Sequence, residues 1–275
     1  YLYDSDANVS NSIISENSAN NNGGGISNYG LITLNIINTS INDNEAGEEG
    51  ESFHSSWSGA NQNGSLNNCT ITGNYSSSSV IYIEGSTLLS NINQSNFYNT
   101  GFAINNTDNS MILSATNNYW GDSSGPYHPS QNSSGQGDSV NAFVNVDPWL
   151  TAPNTDAPPI PAQNTTVTGT GNDFISLKWD TSLLGDLAGY KLYYDSDSSG
   201  YPYTNSVDVG TDTSYTLSSL TLGTTYYLAV TTYDTDGNES WYSNEVSGVT
   251  RIMQAQSLDI GGDEDLQHMV SHTPS

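Results

Sequence analysis

Acidic side chains are the most frequent titratable groups in this sequence. Of the 275 residues, 29 are Asp or Glu and only 3 are Lys or Arg, so the formal net charge is −26. Hydrolysis of a glycosidic bond needs two paired carboxylates, usually with further groups that hold the substrate. The isolated acids and histidines of the first half show no motif that pairs them: Glu16, Asp43, Glu84, Asp108, Asp122, His54 and His128. We therefore predict no catalytic residue in this chain.

Two short acidic segments carry oxygen atoms of the kind that Ca²⁺ prefers. Asp195 and Asp197 begin a run that imitates the first half of an EF-hand loop, but the twelfth position is Ser206 instead of Glu. Glu48 and Glu49 lie in an acidic stretch that has no recognised ligand spacing. A turn and a solvated loop are the favoured interpretations, and Ca²⁺ is the one cofactor that these segments leave open.

The negative charge is spread over both halves of the chain. Residues 1–150 contain 13 acids and no Lys or Arg, and residues 151–275 contain the remaining 16 acids. This charge repels phosphate backbones and anionic headgroups, so we expect no nucleic-acid partner and no peripheral membrane role. No run reaches the roughly 18 apolar residues of a membrane span. The single cysteine, Cys69, excludes an intrachain disulfide.

Apolar residues recur in the first half at intervals of 27, 30, 26 and 22 residues. These anchors are Ile14, Ile41, Ile71, Phe97 and Tyr119, each followed three positions later by a small polar residue. A period in the twenties, without helical periodicity, predicts a stacked solenoid in which each repeat forms one coil. We expect the Asn residues after the anchors to form turns and to hydrogen-bond along the stack.

Alternation along one strand predicts which side chains point into the solenoid. Cys69 and Ile71 are expected to face inward, with Asn68 and Thr70 facing outward. Second strands are expected near Ile26, at 80–83 and at 102–104.

The end of the first half carries a distinctive set of motifs. Tyr119, Trp120 and Gly121 stand in an Asn-Tyr-Trp-Gly-Asp sequence, and Pro148 and Trp149 stand in Asp-Pro-Trp-Leu. Together they resemble the closing segment of right-handed parallel β-helix proteins of the pectate-lyase-like superfamily. The resemblance implies that the two tryptophans and the proline cover the last coil, with stacking of the tryptophans on sugar as the alternative. Lyases of this architecture use basic residues, which residues 1–150 lack.

The pattern changes after a proline-rich stretch. Residues 151–161 predict a semi-rigid linker. Longer alternating strands follow, such as the one with Ile175, Leu177 and Trp179 on one face. About seven such strands in roughly 90 residues indicate an antiparallel sandwich.

Several residues of this second half resemble a fibronectin type III domain. Trp179 ends the strand that resembles its core-Trp strand, and Leu220, Gly223 and Tyr226 have the Leu-x-x-Gly-x-x-Tyr spacing. The resemblance implies a tyrosine corner, in which the Tyr226 hydroxyl fixes a crossing loop.

The sequence thus predicts an all-β chain. We expect the final coils of a right-handed parallel β-helix at 1–150, a linker at 151–161, a fibronectin type III domain at 162–250, and a tail or the start of a further module at 251–275.

The expected function follows from this organisation. We expect a noncatalytic fragment of a large secreted or cell-surface multidomain protein of bacteria, exported by a signal upstream, whose partners are polysaccharides or cell-surface glycans and further domains of the same polypeptide. The alternative is the C-terminal part of a polysaccharide lyase or glycoside hydrolase whose active site lies upstream.

Overall fold

The computed structural model describes residues 6–28, 33–56, 64–72, 79–85, 89–98 and 100–251. Every regular element in these ranges is a β-strand. Within the same ranges, no helix has the length and apolar character to cross a bilayer. The predicted tail lies outside the described residues from position 252 onward.

The first half contains eighteen short strands. They are β1 (Asp6–Ser10), β2 (Ile13–Ser15), β3 (Ser18–Ala19), β4 (Ile26–Asn28), β5 (Thr33–Ile37), β6 (Ser40–Asn42), β7 (Glu45–Ala46), β8 (Phe53–Ser56), β9 (Gly64–Asn67), β10 (Thr70–Thr72), β11 (Ile81–Glu84), β12 (Leu89–Asn93), β13 (Asn96–Tyr98), β14 (Phe102–Asn106), β15 (Leu113–Ser114), β16 (Pro126–Tyr127), β17 (Gly137–Val140) and β18 (Val144–Asn145).

These strands form the parallel stacking of a three-sided solenoid. One side has the order β1-β5-β9-β12-β15-β18, the second β13-β10-β6-β2, and the third β16-β17-β14-β11-β8-β4, while β3 and β7 form a small additional pair. Apart from β16 and β17, which pair with each other on the third side, consecutive strands along the chain belong to different sides. Strands of successive coils pair in parallel. The predicted parallel stacking is therefore confirmed.

Like side chains stack on one another inside the solenoid. The register gives three interior rows: Val9-Ile36-Leu66-Ile92, Ile14-Ile41-Ile71-Phe97 and Ile26-Phe53-Ile81-Ile104-Val140. Complete burial of one such aliphatic or aromatic side chain stabilises the fold by about 1.5–3 kcal/mol. Cys69 belongs to the same core, and desolvation raises the pKa of its thiol to about 12, so it remains a neutral core residue.

One corner of the solenoid is made by residues in the left-handed conformation. They are Asn11, Asn38, Asn68, Gln94 and Asn117, each with φ between 48° and 55°. Asn adopts this conformation at low cost, which explains the Asn-rich composition. These corners precede the anchors, whereas the Asn residues after the anchors form side-chain ladders, such as the 2.9 Å bond from Asn17 Nδ2 to Asn44 Oδ1.

The second half is an antiparallel sandwich of seven strands. They are β19 (Thr166–Thr170), β20 (Ile175–Lys178), β21 (Leu187–Asp195), β22 (Asn205–Gly210), β23 (Ser214–Leu217), β24 (Thr225–Asp234) and β25 (Val246–Val249). One sheet has the order β19-β20-β23 and the other β22-β21-β24-β25. Alternate residues of both sheets, such as Tyr190 and Leu228, fill the core between them together with Trp179, which directly follows β20.

The proline-rich segment between the two halves contacts both of them. Asn154 Nδ2 donates to Asn68 Oδ1 at 3.1 Å and to the Gln94 carbonyl at 2.6 Å, which fixes the segment to the solenoid corner. The Thr70 hydroxyl donates to the carbonyl of Pro158. Thr70 faces outward as the alternation predicts, but this segment covers that face, so Thr70 is fully buried. On the other side, Thr232 Oγ1 donates to the Ile160 carbonyl at 2.6 Å.

Candidate functional site

The sandwich core contains the residues that the sequence singled out there. Trp179 is buried and meets the Tyr190 ring edge-on, with centroids 5.5 Å apart. The Tyr226 hydroxyl accepts a 3.0 Å hydrogen bond from the Thr221 backbone N–H. Leu220 packs beside this core, and Gly223 turns the chain with a φ of 76°. This arrangement has the geometry of a tyrosine corner.

Five aromatic rings form a continuous cluster on the outer face of the four-stranded sheet. We call this cluster the aromatic platform, and it consists of Tyr193, Tyr201, Tyr203, Trp241 and Tyr242. The Tyr242 ring lies at its centre, with centroid distances of 5.1, 5.6, 5.1 and 4.9 Å to the other four rings in the order given. Tyr201 is 56% exposed, so one aromatic surface of the platform is open to solvent.

A segment that runs along β24 brings two of these rings into place. The hydroxyls of Ser240 and Ser243 accept hydrogen bonds from the backbone N–H groups of Thr232 and Val230, at 2.9 and 3.0 Å. The backbone N–H groups of the same two serines donate back to the carbonyls of Thr232 and Val230. Trp241 and Tyr242 lie between the two serines, so the reciprocal bonds determine where both rings stand.

Two carboxylates hold two of the four tyrosine rings of the platform. Glu239 Oε1 accepts a hydrogen bond from the Tyr193 hydroxyl at 2.8 Å, and its Oε2 pairs with Lys191 Nζ at 2.5 Å. Glu245 Oε2 accepts from the Tyr203 hydroxyl at 2.6 Å. Hydrogen bonds to an ionised acceptor are about twice as strong as neutral ones, so these rings are held in defined orientations.

The ionisation states follow from the same contacts. Desolvation opposes the charge of Glu239, but hydrogen bonds from Lys191, Thr231 and Tyr193 outweigh it and lower the carboxyl pKa. Desolvation, together with the hydrogen bond to Glu245 and its charge, raises the pKa of Tyr203. At neutral pH Glu239 is therefore ionised and Tyr203 keeps its proton.

A cleft of about 230 Å³ lies between the sandwich and the solenoid, next to the platform. Its walls are Asn11, Ser12, Ile13, Asn38 and Ser40 from the solenoid, Asp156 and Pro158 from the connecting segment, and Asn238 and Glu239 from the sandwich. Ile13 is 48% exposed and supplies an apolar wall. Because Glu239 also holds Tyr193, the cleft and the platform are adjacent.

Comparison with known proteins identifies the second half. The family model for the fibronectin type III domain matches residues 158–249. Residues 158–249 form a fibronectin type III domain. The match begins four residues before the boundary that the sequence suggested and includes the buried Pro159 and Ile160.

Solved structures of fibronectin type III domains are similar to part of the chain. A domain of human fibronectin type III domain containing protein 3 is 26% identical, with 38% of this chain and 95% of that chain covered and a TM-score of 0.30. Domains FN1–FN3 of chicken CNTN1 are 19% identical, with 39% and 35% covered and a TM-score of 0.32. No curated protein matches the sequence.

The solenoid's closing motif has a different arrangement from the one expected for an outer cover. Trp120 is fully buried and stacks on Phe97, so it belongs to the interior and offers no face to a sugar. Trp149 is half-buried against the core, and its indole lies over Gly125, where an added Cβ would come within 2.5 Å of the ring. The Pro148 carbonyl accepts from the Asn117 N–H at 2.5 Å.

Other residues at this end of the solenoid bind the last turns together. The Tyr119 backbone N–H donates to the Ser95 carbonyl at 2.9 Å. Gly121 adopts a φ of 85° directly after the buried tryptophan, in the left-handed region that favours glycine. The Asp138 carboxylate accepts from the N–H groups of Thr100 and Gly101.

The two solenoid histidines are buried separately. His128 Nε2 bonds to the Val144 carbonyl at 2.9 Å, while its Nδ1 accepts from the Gln131 N–H at 2.9 Å. His54 stacks on Tyr82, and desolvation lowers its pKa despite the nearby glutamates. Neither histidine forms a hydrogen bond or ion pair with a carboxylate within the described ranges.

The two Ca²⁺ candidates remain predictions, and their oxygens have other contacts in this fold. Asp195 accepts backbone N–H bonds from Ser196 at 2.7 Å and Thr204 at 2.9 Å, which close the hairpin loop of the fibronectin type III domain. Asp197 is exposed, as is Glu48, whereas Glu49 Oε2 accepts from the Ser79 hydroxyl at 3.4 Å. Among the described residues, no group of three or more His, Cys, Asp or Glu side chains is arranged to hold a metal.

Sequence reasoning did not identify the aromatic platform. Its rings come from β21, from the loop between β21 and β22, and from the segment before β25, and only the sandwich brings them together. The composition contains one general sign of an aromatic cluster, the 18 tyrosines. The adjacent pair Trp241-Tyr242 and the closely spaced Tyr201 and Tyr203 were the local signs.

Proposed function

We propose that this chain is a noncatalytic, glycan-binding part of a larger secreted or cell-surface bacterial protein. The solenoid is the scaffold, and the fibronectin type III domain presents the binding surface. The observation that carries the proposal is the aromatic platform, a partly exposed group of tyrosine and tryptophan rings in which carboxylates hold Tyr193 and Tyr203.

The physical case rests on ring chemistry and rigidity. A sugar ring has an apolar C–H face that packs against an aromatic ring, and its hydroxyls bond to polar groups at the edge. Tyr and Trp provide large contact areas at a low cost in conformational entropy. Because Glu239 and Glu245 already hold Tyr193 and Tyr203, little further ordering is needed on binding, and preorganisation of this kind increases affinity.

Retention on immobilised or gel-embedded polysaccharides tests glycan binding. A neutral soluble β-glucan and a mannan are the probes, with polygalacturonate and alginate as anionic comparisons. Tyr201→Ala and Trp241→Ala should each weaken the observed binding at least tenfold. Tyr127→Ala is the matched control, because Tyr127 is a 45% exposed tyrosine on the solenoid. If the native protein binds none of the four polymers, the proposal is refuted.

The noncatalytic part of the proposal rests on the composition of the solenoid. Residues 1–150 contain no Lys or Arg to assist removal of a proton beside a uronic carboxylate. We expect no release of unsaturated or reducing ends when the purified protein is incubated with pectin or alginate. Release that disappears on one carboxylate substitution, such as Asp122→Asn, would favour the alternative of a lyase or hydrolase.

A further inference from the structure

The cleft between the solenoid and the fibronectin type III domain continues the binding surface beyond the platform. It has a volume of about 230 Å³, below the about 300–1,000 Å³ that is typical of pockets for drug-sized molecules. A space of this size suits one ring-sized unit of a longer ligand. Asn11, Asn238 and Ser12 supply polar groups at its walls, and Ile13 supplies an apolar surface.

We propose that this cleft is a second subsite that holds one sugar ring of a neutral oligosaccharide whose other rings lie on the aromatic platform. The inference rests on the proposed glycan-binding function and adds the length and charge of the ligand. Glu239 connects the two subsites, since it lines the cleft while its Oε1 holds Tyr193 of the platform at 2.8 Å.

The charge of the surface selects a neutral ligand. Asp156 and Glu239 line the cleft, and Glu245 lies under the platform. The one ion pair among the described residues joins Lys191 to Glu239, and the whole chain carries a net charge of −26. A polyuronate would bring further carboxylates into this field, whereas a neutral sugar offers hydroxyl donors to the same acceptors.

The second subsite also depends on the position of the two halves relative to each other. Asn154 binds the solenoid corner at Asn68 and Gln94, and Ile160 binds Thr232 of the fibronectin type III domain. These contacts fix the segment that carries Asp156 and Pro158. The cleft is therefore formed before a ligand arrives, so binding does not have to order this segment.

Calorimetric titration of the whole chain with a neutral β-gluco-disaccharide and the corresponding hexasaccharide tests the subsite. We expect the native protein to bind the hexasaccharide at least tenfold more tightly than the disaccharide. Ile13→Asp should reduce hexasaccharide affinity to the disaccharide level and leave the disaccharide affinity unchanged. Ile112→Asp, at a 65% exposed isoleucine outside the cleft, is the matched control and should behave like the native protein.

The possible results separate this inference from the proposed function. Equal native affinities for the two lengths, or an Ile13→Asp variant that keeps the native preference, would overturn the cleft subsite while binding at the platform stands. Ser12→Trp, which fills the cleft, should repeat the loss if Ile13→Asp folds poorly. Equal binding of a hexagalacturonate would overturn the neutral assignment. Tyr201→Ala should weaken the binding of both lengths at least tenfold, and native affinity of this variant for both lengths would contradict the platform itself.

Discussion

Trp120 stacks on Phe97 in the interior of the last coil, with ring centroids 4.6 Å apart and ring planes inclined by 11°. The two residues continue the interior row of Ile14, Ile41 and Ile71. The large rings at this end of the row fill the interior of the last coil, so the stack is closed from inside.

Replacement of Trp120 by Ala should destabilise the solenoid strongly. Removal of a fully buried aromatic side chain costs about 3–5 kcal/mol, because the transfer free energy is lost and a cavity is left. Urea unfolding followed by far-UV circular dichroism measures the effect. Trp241→Ala is the control, since its partly buried ring belongs to the fibronectin type III domain and its loss should leave the solenoid transition in place.

The solenoid could be predicted from sequence because each coil has an apolar residue at the same position of the repeat. Ile14, Ile41, Ile71 and Phe97 align in register, as the intervals implied. The last anchor was wrong by one residue. Tyr119 bridges to Asn96, so the position above Phe97 belongs to Trp120, and sequence spacing alone could not show how tightly the final turn closes.

The candidate site could not be predicted in the same way. Tyr193 and Tyr242 lie far apart in the chain. Their rings come within 5.1 Å because β21 pairs with β24 and the segment of Tyr242 is bonded along β24. Burial of Thr70 was missed for a similar reason. Strand alternation correctly predicted that the Thr70 side chain points outward. The segment at Pro158 covers it there, and no local sequence pattern indicates that contact.

Tyr226→Phe should destabilise the fibronectin type III domain by about 1–2 kcal/mol, because the Thr221 N–H loses its acceptor at a partly buried position. Chemical denaturation monitored by tyrosine and tryptophan fluorescence measures this change. Tyr227→Phe on the same strand is the control, since its hydroxyl forms no hydrogen bond within the described ranges. Equal effects of the two variants would contradict a specific role for the corner.

Asp43→Asn should stabilise the solenoid at neutral pH. Burial, and then the charge of Glu16 in the adjacent coil, raise the pKa of Asp43 from 3.8 to about 6. A raised folded-state pKa contributes stability that is present below the unfolded value and is lost as the pH rises through about 6. The variant should gain on the order of 2 kcal/mol at pH 8 and almost nothing at pH 4.

Unfolding in urea at pH 4, 6 and 8 checks this pH dependence. The left-handed φ of 51° at position 43 suits Asn, so the substitution should add no backbone strain. Glu45→Gln, at an exposed acid of the same coil, is the control. A gain for Asp43→Asn that does not change with pH would contradict the titration of this group.

Asn154→Ala should loosen the connection between the two halves. It removes the side-chain bonds to Asn68 and Gln94, which together contribute about 1–2 kcal/mol. Limited proteolysis should then cut within the segment 151–161 faster than in the native protein. Thr151→Ala, at an exposed position of the same segment, should leave the cleavage rate unchanged. Equal rates for both variants would show that these bonds do not hold the segment.

The melting temperature should rise with added salt. The chain carries a net charge of −26, and the acids of residues 1–150 face no Lys or Arg within their own half, so mutual repulsion destabilises the compact state at low ionic strength. Screening at about 0.15 M salt shortens the range of this repulsion to about 8 Å. Thermal unfolding between 10 mM and 500 mM NaCl measures the effect, and an unchanged melting temperature would contradict it.

The same experiment separates screening from Ca²⁺ binding. A ligand that binds only the folded state stabilises it in proportion to the logarithm of its concentration above the Kd. The Asp195 oxygens already accept N–H bonds from Ser196 and Thr204, so we expect millimolar CaCl₂ to act no more strongly than NaCl of matched ionic strength. A large Ca²⁺-specific increase in melting temperature that disappears in Asp197→Asn would place a site in this loop, and one that disappears in Glu48→Gln with Glu49→Gln would place it in the solenoid.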